Sequence, residues 1–326
     1  SVMKTAFVSE IPYFGKFTRE HPNMRVEFAW MVQHDATHFP IGNYQQVEGF
    51  DEVYVIIPKG ELTLNAVGAD LLAVYPPTDT NPVKKFLGEN IIQVLKGKNV
   101  KVFIIQEGPT TLFNDWSVET QMLWYSNVMQ SDGICCHNTS DVPFYEGLFK
   151  GLIPVTVKKT VMIDTLLKKL QPVDTTDTVI IGGNFSRWYG GFQSWIVASE
   201  LVDDLNTAAF VQTSHSTRFS ENLYLNVLPR MSWIDWMDRL RQFKYAVHLM
   251  PTVAAGTFNL NCAYWGIPCI GNKKVDTQRE CFPLLSVDPE DVLSASILAQ
   301  RLRNEKEFYT QVSEHAKRIA REKFLM

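Results

Sequence analysis

The residues best suited to chemistry in this chain lie between Tyr245 and Lys273, where the sequence reads YAVHLMPTVAAGTFNLNCAYWGIPCIGNK. The pattern predicts an apolar strand, a loop of small residues, a helix and a second apolar strand. Gly256 and Thr257 would then lie in the first turn of the helix, just beyond the carboxyl end of a strand. Backbone N–H groups in that position bind phosphate, so the segment predicts a site for a nucleotide's phosphates.

A second glycine-rich turn, GGNFSRWYGG at 182–191, follows the predicted strand at 178–181. Gly183 would let the backbone approach a ligand closely, and Arg187 could bind phosphate through two hydrogen bonds. A glycine turn with a solvated arginine explains the same residues equally well. The turn therefore adds a weaker indication of the same chemistry.

The elements that must position these residues form an alternation of apolar strands and helical patterns. Nearly continuous Val, Ile and Phe runs favour parallel sheets with helices on both faces. The alternation weakens around 151–174 and then restarts. The predicted fold class is therefore α/β, with two Rossmann-like domains, 1–155 and 156–326, whose parallel sheets face a cleft. The strands are predicted at 4–8, 52–58, 99–106, 132–137, 178–181, 208–213, 224–228, 245–250 and 268–271.

Composition narrows the functional classes. The chain has 31 Lys and Arg against 35 Asp and Glu, with the acidic excess in residues 1–150, so an anionic ligand is expected on the second half. No apolar run is long enough to span a bilayer, and a signal-peptide pattern is lacking. Five cysteines without CxxC spacing indicate reduced thiols. We expect a cytoplasmic protein with no membrane span.

The second half resembles the nucleotide-binding domain of GT-B glycosyltransferases, specifically the large "group 1" (family 4-like) set. That family has a strand ending in proline, a loop with two glutamates separated by seven residues, and a helix that closes on G-x-P. Aligning on Gly266-Ile267-Pro268 puts Gly256 on the family's phosphate-loop glycine. Val253 and Asn261 stand where the paired glutamates belong, so that motif is missing.

The resemblance implies a nucleoside-diphosphate-sugar donor, with no further cofactor and no metal. Asn261 stands where the family's ribose-binding glutamate would be, and Met231 ends the LPRM stretch whose backbone would read the base. Gly183 occupies the position of the family's usual arginine. The implied donor-binding residues are Gly183, Arg187, Met231, Gly256, Thr257 and Asn261.

A base for the acceptor hydroxyl is sought at the carboxyl ends of strands in the first half. Glu107 and Asp115 follow the strand at 99–106, while His34 follows the first helix and His137 follows the apolar ICC run. A structural role is the commoner one for any single loop residue of this kind. All four stay open as catalytic candidates.

The leading hypothesis is a glycosyltransferase that transfers sugar from a nucleoside-diphosphate-sugar donor to an acceptor hydroxyl. The acceptor is open: a glycan, a lipid-linked sugar, a small molecule or nucleic acid. Three alternatives stay open as well. They are a GT-B-shaped sugar-nucleotide 2-epimerase, a phage-type DNA-modifying glycosyltransferase and a non-enzymatic two-domain ligand-binding protein.

Overall fold

The computed structural model describes residues 2–21, 25–58, 90–183, 189–203, 207–210 and 225–326. The chain divides into two compact units, the first with residues 1–18 and 30–159 and the second with 19–29 and 160–326. The division after Lys159 lies four residues beyond the predicted boundary at 155. Nothing in the sequence pattern predicts that residues 19–29 belong to the second unit.

The first unit contains a seven-stranded sheet with the order β2-β3-β1-β4-β5-β6-β7. The pairing of β2 with β3 is antiparallel and the other pairings in this sheet are parallel. Helix α1 (Val26–Gln33) crosses the division between the units. The strands and remaining helices are β1 (Thr5–Ser9), β2 (Gly15–Lys16), β3 (Thr37–Pro40), β4 (Glu52–Ile57), α2 (Ile91–Lys96), β5 (Lys101–Gln106), α3 (Val118–Val128), β6 (Gly133–Cys136), α4 (Val142–Phe149) and β7 (Val155–Val157).

The core of the first unit follows from the predicted apolar strands. Val53, Val55 and Ile57 of β4 are fully buried, as are Val102 and Ile104 of β5. Burial of side chains from one strand beside those of the next accounts for the apolar runs and stabilises the parallel arrangement. The structure thus confirms the strands predicted at 4–8, 52–58, 99–106 and 132–137.

The second unit contains a six-stranded sheet in which all pairings are parallel, with the order β10-β9-β8-β11-β12-β13. This is the doubly wound order 3-2-1-4-5-6, whose ligands bind where the order reverses. The reversal lies between β8 and β11. The strands and helices are β8 (Thr176–Ile181), α5 (Gly191–Ala198), β9 (Thr207–Phe210), β10 (Leu225–Leu228), α6 (Trp233–Leu240), β11 (Phe243–His248), α7 (Thr257–Trp265), β12 (Cys269–Asn272), α8 (Asp276–Cys281), β13 (Ser286–Val287), α9 (Val292–Asn304) and α10 (Lys306–Lys323).

Helix packing in the second unit follows the helical period. Phe308, Val312, Ala316 and Ile319 of α10 lie on one face and are buried in the core of this unit. Asp291 caps α9, because its side chain accepts a hydrogen bond from the N–H of Ser294. None of the helices in the described ranges is both long and apolar enough to cross a bilayer.

Candidate functional site

A cavity of about 200 Å³ opens in the second unit at the carboxyl ends of β8 and β11, where the strand order reverses. The end of β12 and the first turn of α7 complete its wall. The cavity brings together three of the residues predicted to bind the donor: Gly183, Gly256 and Thr257. Its lining consists of Gly183, Tyr189, His248, Met250, Thr252, Ala254, Ala255, Gly256, Thr257, Phe258, Asn259, Asn272 and Val275.

The start of α7 supplies hydrogen-bond donors to this cavity. Gly256 is the N-cap and has no side chain that could accept from the first-turn N–H groups. The first bond of the helix runs from the N–H of Leu260 to the carbonyl of Gly256, over 3.1 Å. Helix geometry leaves the N–H groups of 257–259 without an intrahelical acceptor, and all three residues line the cavity. An anion placed here would also be stabilised by the helix dipole.

Gly256 is required by the fold as well as suited to phosphate. Its φ is +84°, and a Cβ at this position would lie 2.2 Å from Thr277 Oγ1 and 2.6 Å from Val275 Cγ1. Thr277 Oγ1 donates to the carbonyl of Gly256 over 2.8 Å. The packing of α8 against this turn therefore excludes any side chain at 256.

The glycines after β8 make room for two aromatic rings of the cavity wall. A Cβ on Gly182 would lie 2.6 Å from Phe258 Cδ1 and 2.7 Å from His248 Cγ. Gly183 has a φ of +71°, and its Cβ would lie 3.0 Å from His248 Cε1. The close approach inferred from the sequence is thus an approach to protein side chains. Arg187 lies outside the described residues.

The loop between β11 and α7 is held by hydrogen bonds from three directions. Thr160 Oγ1 donates to the carbonyl of Ala255 over 2.6 Å, and Asn272 Nδ2 donates to that of Met250 over 3.0 Å. The N–H of Leu249 donates to the side chain of Ser194 on α5. These bonds fix the cavity wall before any ligand binds, which lowers the entropic cost of binding.

His248 lines the cavity but is not among the residues predicted from the sequence to bind the donor. It is 9% exposed and packs against Phe258, with the ring centroids 5.2 Å apart. Burial lowers the pKa of His248 to about 4, so the imidazole is neutral near pH 7. The sequence feature that could have identified His248 is its position at the end of an apolar strand, directly before a loop of small residues.

His248 and Thr252 each carry a buried polar atom without a hydrogen-bond partner. Within the part of the chain that the structure describes, neither His248 Nδ1 nor Thr252 Oγ1 has a donor or acceptor in range. Thr252 is 8% exposed. Buried polar groups are normally paired, so unpaired ones on a cavity wall require a specific explanation.

Two further residues implied by the resemblance do not line the cavity. Met231 packs against the core of the second unit, just before Ser232, whose side chain caps α6 by accepting from the N–H of Asp235. Asn261 is buried on α7. Their roles in donor binding stay predictions.

Two of the four candidate bases are carboxylates near the end of β5. Glu107 directly follows the strand and is half-buried, with its N–H donating to the carbonyl of Ile57 over 3.0 Å. Asp115 is exposed at the end of a short 3₁₀ segment, Thr110–Asp115. Glu107 is thus the carboxylate that lies at the edge where ligands of parallel sheets bind.

The two candidate histidines lie in different surroundings. Lys158 Nζ donates to His34 Nε2 over 2.6 Å, and Glu52 at the amino end of β4 lies 3.9 Å from His34 Nδ1. Burial and the positive charge of Lys158 lower the pKa of His34 to about 4. His137 follows the carboxyl end of β6, is 8% exposed, and stacks on Trp30 at 5.3 Å between ring centroids.

The cysteines and the potential metal ligands form neither a disulfide nor a metal-binding cluster among the described residues. All five cysteines are buried free thiols, as the sequence predicts: Cys135, Cys136, Cys262, Cys269 and Cys281. Over the described residues, no group of three or more His, Cys, Asp or Glu side chains is arranged to hold a metal ion.

Comparison with known proteins gives similarity in structure without similarity in sequence. No family model matches the chain, and no curated protein matches it. A crystal structure of Anabaena Alr3699/HepE in complex with UDP and glucose is similar, with a TM-score of 0.65 and 10% identity over 99% of this chain and 95% of that one. The trehalose-6-phosphate synthase OtsA gives a TM-score of 0.62 at 9% identity, over 86% of this chain and 71% of that one.

A third similar structure is an alpha-glucosyltransferase in complex with UDP and a 13-mer DNA containing an HMU base. Its TM-score is 0.58 at 11% identity, over 97% of this chain and 95% of that one. These neighbours are two-domain GT-B glycosyltransferases. The chain therefore has the GT-B fold, and its second unit has the doubly wound strand order.

Proposed function

We propose that this protein is a glycosyltransferase that moves a sugar from a nucleoside-diphosphate-sugar donor to an acceptor hydroxyl. The observation that carries the proposal is the cavity between the ends of β8 and β11, whose wall includes the first turn of α7 with N–H groups that lack an intrahelical acceptor. In doubly wound sheets this is the place where nucleotides bind. The shared GT-B fold supports the same class of reaction.

The chemical task of the cavity would be to stabilise the departing diphosphate. As the bond from the sugar to phosphate breaks, negative charge builds up on the leaving oxygen. N–H donors fixed at a helix N-terminus stabilise that charge without reorganisation, and Thr257 adds a hydroxyl. We propose that transfer proceeds without a bound metal, with Arg187 as a further contact to the diphosphate.

The acceptor hydroxyl would lose its proton to a base in the first unit. Glu107 and His137 follow the carboxyl ends of β5 and β6, and are therefore the first candidates. His34 is a weaker one, because its Nε2 already accepts from Lys158. Asp115 is the fourth candidate, exposed and close behind Glu107 in sequence.

The proposal is tested first by binding. Two of the three similar structures described above are complexes with UDP, so UDP and UDP-glucose are the first probes, followed by GDP, ADP and CMP. At a concentration about 100 times the Kd, a ligand adds about 2.7 kcal/mol to the free energy of unfolding, which calorimetry detects readily. Failure of every nucleotide to raise the melting temperature would contradict the proposal.

Turnover then separates the proposed reaction from its rivals. A transferase releases nucleoside diphosphate in proportion to added acceptor, whereas a 2-epimerase converts the nucleotide-sugar with no acceptor present. A ligand-binding protein would bind without any turnover. The acceptor panel should contain a glycan, a lipid-linked sugar, a small alcohol and hydroxymethylated DNA, with UDP release and mass spectrometry as the readouts.

A further inference from the structure

Two buried polar atoms of the cavity wall have unused hydrogen-bonding capacity. His248 Nδ1 and Thr252 Oγ1 lack partners among the described residues, and both side chains are more than nine-tenths buried. Leaving such an atom buried and unpaired lowers the stability of the fold. That cost is recovered if a ligand supplies the missing partner.

Both residues lie close to the donors of α7. His248 packs against Phe258, whose N–H belongs to the first turn of the helix, and against the turn at Gly183. Thr252 lies on the loop that leads into that turn. A ligand atom bound at the helix N-terminus would therefore be near both side chains.

The size and charge of the cavity select the part of the donor that fits. At about 200 Å³ it is smaller than the roughly 300–1,000 Å³ of pockets that enclose a whole drug-sized ligand. Its lining has no acidic side chain among the described residues, so nothing in it repels an anion. A diphosphate group suits this space, and the nucleoside would extend beyond it.

We propose that His248 and Thr252 hydrogen-bond to phosphate oxygens of a nucleoside diphosphate held at the N-terminus of α7, and that they act as specificity residues for that group. The inference rests on the proposed function, because it places the donor in the same cavity. Thr252 donates through its hydroxyl, and His248 donates through Nδ1 in the neutral tautomer that carries its single proton on that nitrogen.

The test uses pairs of variants of the full chain that separate hydrogen bonding from shape. Thr252→Val keeps the shape and removes the hydroxyl, whereas Thr252→Ser keeps the hydroxyl. His248→Leu removes both ring nitrogens, whereas His248→Asn retains an amide that can occupy the position of Nδ1. Thr178→Val, at the opposite end of β8, is the matched control for loss of a threonine hydroxyl.

Isothermal titration calorimetry with UDP, UDP-glucose and inorganic pyrophosphate is the readout. We expect Thr252→Val and His248→Leu each to weaken binding of all three probes about tenfold, which is about 1.4 kcal/mol, because each loses a hydrogen bond to a charged group. The Ser and Asn variants should bind within about threefold of the wild type. Thr178→Val should bind unchanged.

Unchanged UDP affinity in Thr252→Val and His248→Leu would overturn the inference and leave the proposed function standing. A loss confined to UDP-glucose would also overturn it, because the contacts would then be to the sugar. If the wild type binds none of the nucleotides, both proposals fail. Melting temperatures without nucleotide serve as a second readout, since a merely structural role predicts a loss of stability in the Val variant.

Discussion

Two histidines, His34 in the first unit, which is half-buried, and His248 in the second, which is buried, differ in what surrounds them. Burial lowers the pKa of each to about 4. His34 accepts from Lys158, which also lies 4.7 Å from the ring centroid of Tyr54. His248 Nδ1 has no partner among the described residues and lines a cavity. A shifted pKa alone therefore does not distinguish the two, whereas an unpaired buried atom on a cavity wall makes His248 the candidate for contact with a ligand.

The largest expected effect is that of a substitution in the cavity of the second unit, near His248. Gly256→Ala should lower the free energy of unfolding by about 4 kcal/mol, because a Cβ meets Thr277 at 2.2 Å and the backbone has a positive φ. Urea denaturation measures the loss. Gly147→Ala in α4 is the matched control, since a Cβ there meets nothing within 4 Å. A Gly256→Ala protein as stable as the wild type would show that the turn is not constrained as described.

The dependence of stability on pH should be the same for both histidines. Each has a folded pKa near 4 against about 6.5 when unfolded, so the unfolded chain binds more protons between these values. Stability is therefore fully present above about pH 6.5 and is lost as the pH falls towards 4. The loss is on the order of 3 kcal/mol for each histidine.

Denaturation at pH 7, 6, 5 and 4.5 measures this slope. Replacing either histidine with Gln should flatten the curve, because Gln does not titrate in this range. Burial also lowers the pKa of His38, which adds a slope of the same sign. A wild-type curve that is flat from pH 7 to 4.5 would contradict the burial of uncharged rings.

Removing the partner of His34 should have a smaller effect than the glycine substitution. Lys158→Met keeps much of the side-chain volume but loses the hydrogen bond to His34 and the contact of the ammonium with Tyr54. We expect a loss of about 2 kcal/mol in the free energy of unfolding. Lys150→Met, at the exposed end of α4, is the control and should change it by less than about 0.5 kcal/mol.

The smallest expected effect is that of Thr252→Val on the protein without nucleotide. Its hydroxyl has no partner to lose within the described chain, and its removal relieves the cost of burying an unpaired polar group, so the free energy of unfolding should rise by about 1 kcal/mol. Denaturation of this variant beside Lys158→Met compares an unpaired group with a paired one. Equal losses in the two variants would remove the distinction between the two regions.

The sequence predicted the sheets well because strands buried on both faces are continuous apolar runs. β4 and β5 match the prediction to within two residues at each end. Strand β7 lies where the predicted alternation weakens, at 151–174, because it has only three residues, Val155–Val157.

Helix α8 shows why part of the site could not be predicted. Its sequence, DTQREC, has no apolar period, yet Asp276, Thr277 and Gln278 are all buried. Thr277 bonds the carbonyl of Gly256, and Gln278 Oε1 accepts from Asn259 over 2.7 Å. Thr277 and Gln278 are thus buried with partners at the start of α7, about twenty residues away in the chain, and sequence pattern does not reveal such pairing.

The sequence by itself determined the α/β class, the two sheets and the place of Gly183, Gly256 and Thr257 at strand and helix ends. These features depend on local periodicity and on conformations that few residues adopt. Only the tertiary structure decided that these three residues share one cavity with His248 and Thr252. Whether a buried polar atom finds a partner depends on residues far apart in the chain, and that pairing exists only once the sheet has assembled.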